Sequence, residues 1–183
     1  MMHRPDKGKI LISAPFLNDI FKRSVIFLTE HNDAGSVGFI LNKKLDIKLD
    51  DVVEDFPQFD ANVYIGGPVE QETLNIVHRV GSVIDDSFEI GDGIYWGGNY
   101  EQIKSLISTG VLKSDDVLFF LGYSGWSPNQ LDGEINTKSW YVSDIDEENL
   151  FDNDHSHLWA DSLKRMGGEY SIISTFPEDP IVN

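Results

Sequence analysis

The stretch "FLGYSGWSPNQLDGEI", Phe120 to Ile135, sets a serine between two glycines, after an apolar run and ahead of a helix-like segment. That is the outline of a nucleophile elbow, in which a serine sits at a strained strand-to-helix turn and the glycine two places beyond relieves crowding. Gly122-Tyr123-Ser124-Gly125-Trp126 misses the pattern by one residue, because the second glycine, Gly125, comes a place early and Trp126 stands where it belongs. Ser124 is therefore a weak candidate nucleophile. It would need an imidazole beside it and a carboxylate behind that. His31 and His78 are the histidines to consider, with Tyr123 as a further polar neighbour.

The same stretch fits a helix start. Ser127 is spaced as an N-cap, Pro128 as the first helical residue and Gln130 as the third, which makes a capping box. Trp126 and Leu131 have the spacing of a hydrophobic staple. On this reading Gly122, Tyr123, Ser124 and Gly125 form a loop between a buried strand and a helix N-terminus, where free amides favour an anion. They are the candidate ligand-binding residues, together with the glycine pair Gly66 and Gly67 that ends another apolar run. Tyr64-x-Gly66-Gly67-x-x-Glu70-Gln71 recurs as Tyr95-x-Gly97-Gly98-x-x-Glu101-Gln102, so two strands end at glycine pairs.

The segment "DNDHSHLWAD" holds oxygen and imidazole ligands suited to a divalent cation. On a helix His155 and His157 point about 200° apart, and only His157 and Asp161 share a face. These two are weak metal candidates, and no metal site is expected. No cofactor is expected either. Gly91-x-Gly93 has Trp96 in the place of the third dinucleotide-binding glycine, and no Walker lysine follows a glycine cluster.

The composition restricts the function classes further. The chain has 183 residues, 31 acidic against 14 basic, for a net charge of −17. Such a surface repels phosphate backbones, so direct DNA binding is not expected. Around the best helix pair a recognition helix would have only Lys104 and Lys113 to offer. The charge is uneven: residues 1–48 carry 8 Lys/Arg against 5 Asp/Glu, and the remainder carries 6 against 26. Cysteine is absent, which removes disulfides, thiol catalysis and thiolate metal sites. No apolar run is long enough to cross a membrane, and "MMHRPDKGKI" lacks the apolar core of a signal peptide, so a cytoplasmic protein without membrane contact is expected.

The elements that must position these residues are short. Strands are predicted over Lys9–Ser13, Ser24–Thr29, Val37–Leu41, Val63–Ile65, Leu74–Val80, Ile94–Trp96, Val117–Leu121, Trp140–Val142 and Tyr170–Thr175. Helices are predicted over Asp50–Phe56, Tyr100–Ser108 with Asn99 as N-cap, and Ser156–Met166 stopped by Gly167 and Gly168. Strands come partly in runs and partly between helices, which points to α+β with a mixed sheet in one domain spanning 1–183, with 177–183 as a flexible tail.

"GKILISAPFLNDIFKRSVIFLTEH", "GSVGFILNKK", "IGGPVEQETLNIVH" and "GYSGWSPNQLDGEI" with a later tryptophan occur in that order. From Gly8 to Trp140 the chain resembles the YqgE/AlgH family of small bacterial proteins, and its last forty residues resemble it less. The resemblance implies a largely antiparallel, bifurcated sheet curled into a pseudo-barrel with a few packed helices. Members are often labelled transcriptional regulators through a link to alginate control, and the resemblance carries over no catalytic residues. The expected function is a binding or regulatory module acting through a protein partner or a small ligand. The alternative is a hydrolase using Ser124.

Overall fold

Nearly continuous apolar runs such as Ile10–Ser13 and Val117–Phe120 belong to strands buried on both faces, and here they pair into one strongly curved sheet. The computed structural model describes residues 3–179. In chain order the elements are β1 (Ile10–Ser13), β2 (Val25–Asn32), β3 (Gly35–Ile40), α1 (Leu49–Val52), β4 (Val63–Ile65), β5 (Val69–His78), β6 (Ser87–Gly91), β7 (Ile94–Gly97), α2 (Tyr100–Ser108), β8 (Val117–Trp126), α3 (Gln130–Asn136), β9 (Trp140–Ser143), α4 (Glu147–Leu150), α5 (Leu158–Met166) and α6 (Glu169–Ile173). The nine strands form one sheet with the order β6-β7-β5-β8-β3-β2-β1-β9, and β4 pairs with β8 outside that path. Every pairing is antiparallel except β4 with β8. The fold is α+β, a largely antiparallel sheet curled into a pseudo-barrel.

β8 makes the sheet bifurcate. Its first half, Val117 to Leu121, lies between β4 and β5, and its second half, Ser124 to Trp126, pairs with β3. The change occurs at Gly122, whose φ of +70° is one that side-chain-bearing residues rarely adopt.

Alternate residues along the strands feed different cores. Ile10, Ile12, Val25, Phe27, Leu118 and Phe120 enter a central core closed by Leu158, Trp159 and Leu163 of α5. Val117 and Phe119 face a second core with Ile103 and Ile107 of α2. Leu11, Ile26, Leu28 and Ile40 pack with Trp126, Leu131, Trp140 and Val142 in a third, under α3.

Three predicted elements differ, and one strand was not predicted. The GYSGW stretch continues β8 as strand instead of forming a loop. Tyr170–Thr175, expected as a strand, contains the short helix α6, because Tyr170 and Ile173 at helical spacing pack on the central core while Ile172 faces solvent. The helix expected over Asp50–Phe56 stops at Val52: Val53 is extended, and Asp55 has a φ of +60° ahead of Pro57. The strand Ser87–Gly91 escaped the sequence reading, since exposed Phe88 and Glu89 blur its alternation. Of the tail expected at 177–183, residues 180–183 lie outside the described residues, and Asp179 pairs with Lys22 at 3.2 Å.

Candidate functional site

Gly66 and Gly67, just past β4, cross directly over Gly122, Tyr123 and Ser124 of β8. A Cβ on Gly66 would overlap the Gly122 carbonyl, and one on Gly67 would overlap the Tyr123 carbonyl. In the other direction, a Cβ on Gly122 would come within 2.7 Å of the carbonyls of Gly67 and Val69. The structure thus brings the six candidate ligand-binding residues together, and what lies between Gly66–Gly67 and Gly122–Ser124 is backbone against backbone. The second glycine pair works differently: Gly97 and Gly98 have φ of +85° and +132° and lead into the Asn99 cap of α2.

Ser124 sits inside this crossing with no solvent exposure, and its hydroxyl donates to the Gly66 carbonyl at 3.0 Å. A nucleophile needs access and a base, and Ser124 has neither. The expected exposed serine loop is corrected on this point: with β8 running through to Trp126, period two turns Ser124 inward, while Gly125 faces solvent. Tyr123 is half-buried and packs on the central core.

The two histidines weighed as bases pair with other serines. His31 Nδ1 contacts Ser36 Oγ at 2.7 Å, across the β2–β3 pairing. His78, fully buried, contacts Ser87 Oγ through Nε2 at 3.0 Å and stacks on Tyr95 with ring centroids 5.5 Å apart. Burial pushes the His78 imidazole below its ordinary value, the Gly97 backbone opposing in part, and its Nδ1 has no partner of hydrogen-bond geometry. Among the described residues no carboxylate is hydrogen-bonded to either ring, so neither pair is a triad.

The helix start is built differently from the capping box expected of Ser127 and Gln130. Half of the box forms: Gln130 Oε1 accepts the Ser127 amide at 3.0 Å. The reciprocal bond is made by the Ser127 carbonyl, which accepts the Gln130 amide at 3.0 Å, so Ser127 does not cap with its hydroxyl. The reason is that Pro128 and Asn129 make a turn, Asn129 has a φ of +64°, and α3 starts only at Gln130. Trp126 and Leu131 do share the third core.

Glu134 organises this corner, and the sequence reading assigned it no role. Its Oε2 accepts from the indole nitrogens of Trp126 at 3.0 Å and Trp140 at 2.8 Å, and its Oε1 from the Gln130 amide at 2.9 Å. The two indoles meet edge to face, with centroids 6.0 Å apart. The signal was present as a glutamate at a fixed distance between two tryptophans.

The metal candidates His157 and Asp161 lie at the exposed start of α5, with the Asp161 carboxylate paired to Lys164 at 3.3 Å. Among the described residues no group of three or more histidine or acidic side chains converges on a cation position. His155 is buried instead, with Nδ1 2.9 Å from the Leu41 carbonyl and Nε2 3.0 Å from that of Asn149. It ties the segment after α4 to the end of β3.

Open space lies elsewhere. A cleft of about 200 Å³ beside the α3 turn is lined by His31, Ser36, Ser127 and Asp132, with Ser124 outside it. A larger groove, about 710 Å³, runs along β9 between the end of α3 and the α5–α6 corner. No helix among the described residues is long and apolar enough to cross a membrane.

Comparison with known proteins agrees with this architecture. The chain is 44% identical over 97% of its length to a UPF0301 protein of Cytophaga hutchinsonii, covering 98% of that protein, and 42% identical over 96% to one of Chlorobaculum tepidum, covering 95% of it. Among solved structures it is similar to a Corynebacterium diphtheriae protein, with a TM-score of 0.79 at 24% identity over 96% of this chain and 95% of that one, a likeness of fold. It is also similar to the AlgH protein of Pseudomonas aeruginosa, with a TM-score of 0.73 at 25% identity over 96% and 98% of the two chains. The family model described as AlgH-like matches residues 10–171, and with these relatives it shows that the chain belongs to the AlgH-like, UPF0301 family.

Proposed function

We propose that the protein is a cytoplasmic binding module with a regulatory role, acting through a protein partner rather than as a hydrolase. The carrying observation is the closed state of the serine motif: Ser124 is wholly buried and its proton is committed to the Gly66 carbonyl. The GYSGW stretch is thereby a structural joint, and chemistry at that joint would require the sheet to open. The net charge of −17 opposes contact with nucleic acid, which supports a protein partner over direct binding to DNA.

The enzyme reading has one better foothold than Ser124. Ser36 and His31 touch at 2.7 Å and both line the 200 Å³ cleft. A fluorophosphonate probe applied to wild type, Ser124→Ala and Ser36→Ala separates the readings. A binding module gives no serine-dependent labelling and no salt-sensitive shift of duplex DNA. Labelling lost in Ser36→Ala would make the protein a hydrolase at that cleft, and labelling lost in Ser124→Ala would overturn the account of the joint.

A further inference from the structure

The sheet has an open edge at β9, which pairs with β1 on one side and with nothing on the other among the described residues. The register decides which backbone groups face outward. Ala14 donates to the Ser139 carbonyl at 2.9 Å and Ser13 to the Ser24 carbonyl at 3.0 Å, so Ala14, Ile12 and Ile10 bond toward β9 while Ser13 and Leu11 bond toward β2. Tyr141 and Ser143 therefore use their backbone groups on β1. The amides and carbonyls of Trp140 and Val142 are directed to the open side, which is the floor of the 710 Å³ groove.

The groove has walls on both sides of that floor. Ile135 and Lys138, at the end of α3, stand on one side, and Arg165 and Tyr170, at the α5–α6 corner, on the other. Tyr170 meets Tyr141 edge to face at 5.1 Å. In a chain of net charge −17 this groove is locally basic: Lys138 and Arg165 line it against a single carboxylate, Glu169. Among the described residues neither Lys138 nor Arg165 makes an ion pair, and Arg165 donates only to the Asn149 side chain at 3.2 Å.

We propose that the open edge of β9 takes an extended, acidic segment of a partner protein as an added strand, with Lys138 and Arg165 receiving its carboxylates. An unpaired strand edge supplies main-chain affinity and a flanking groove supplies side-chain selection. β9 has four residues, about 13 Å of strand, which suits a short linear segment. Charge decides among occupants. A second copy paired edge to edge would bring the same cations to both sides of one seam, whereas an acidic segment neutralises them. The proposal rests on the binding-module reading and names where that module binds.

The test presents the full-length protein with a pool of nonapeptides carrying Val, Ile, Thr or Tyr at alternate positions, half ending in Asp-Glu and half in Lys-Arg. Enrichment from the acidic half is expected. Binding of the enriched peptides, read by fluorescence polarisation, should weaken about tenfold or more in Lys138→Glu/Arg165→Glu and on N-methylation of alternate peptide amides. Val142→Pro removes an outward amide that the β1 ladder does not use, and should also abolish binding. If that variant does not fold, the N-methylated peptides carry the same information. No saturable binding from either half, enrichment of the basic half, or acidic-peptide binding indifferent to the charge reversal would overturn the proposal. So would a concentration-dependent dimer in place of peptide binding, which would assign the edge to a second copy. None of these outcomes depends on serine labelling: failure here leaves the binding module without this site, and labelling would remove that reading while leaving a positive peptide result intact.

Discussion

The Ser124 hydroxyl donates to the Gly66 carbonyl at 3.0 Å, and the same oxygen accepts the Ile40 amide at 2.9 Å, so one carbonyl ties β3, the segment after β4 and β8 together. Ser124→Ala removes one bond and leaves the carbonyl with the other. A loss of about 1 kcal/mol is expected, read from urea denaturation, with the native fold kept. A loss above about 3 kcal/mol would mean that the hydroxyl does more than this bond.

Glycine substitutions test the crossing itself. Gly67→Ala places a methyl on the Tyr123 carbonyl, a backbone group that cannot turn aside. A loss of about 4 kcal/mol or more, or failure to fold, is expected. Gly133, in α3, has open space around its Cβ position, and Gly133→Ala should stabilise by about 0.5–1 kcal/mol. Opposite signs in one denaturation series are the measurement.

Glu134 holds two indole N–H groups at once, and Trp126 and Trp140 are 7% and 3% exposed. Glu134→Ala strands both donors, at a cost of about 2–6 kcal/mol, since each buried polar group left unpaired costs about 1–3. Tryptophan emission of the folded variant should shift as these two rings lose their shared acceptor. Glu134→Gln retains one accepting oxygen and should lie between the two. Equal stability of all three proteins would remove Glu134 from its organising place.

The sequence made the buried strands legible because burial on both faces leaves an apolar run that needs no partner to be recognised, as in Val117–Phe120 and Ile10–Ile12. It made Tyr100–Ser108 legible through its local cap, since the Asn99 side chain accepts the Gln102 amide at 3.1 Å. The GYSGW stretch was misread for a physical reason. Glycine and serine in a strand signal a break unless another backbone packs on them, and here that backbone is Gly66–Gly67, far away in the chain. The groove at β9 was equally hidden, because the ends of α3 and α5 that wall it become neighbours only through the fold.

The start of α3 separates two residues that the motif alone treats alike. Gln130 accepts the Ser127 amide and donates to Glu134, whereas the Ser127 hydroxyl makes no bond among the described residues. Gln130→Ala should cost about 1 kcal/mol and Ser127→Ala close to nothing, the reverse of what a hydroxyl cap requires. Comparable losses in the two variants would restore Ser127 as the cap.

His78 makes stability depend on pH with a definite sign. The ring is fully buried on Tyr95, and burial holds it below its ordinary value of 6.5, so between the two values the unfolded chain binds a proton that the folded protein refuses. Stability is fully present above 6.5 and falls as pH drops from there toward the folded-state value, with a slope of at most about 1.4 kcal/mol per pH unit from this one group. The readout is a difference between two proteins. Denaturation of wild type and His78→Gln at pH 7.5 and 5.5 should show the variant, already weaker at 7.5, losing less on acidification. Parallel losses in the two proteins would place the acid sensitivity elsewhere, and a larger loss in the variant would reverse the sign assigned to His78.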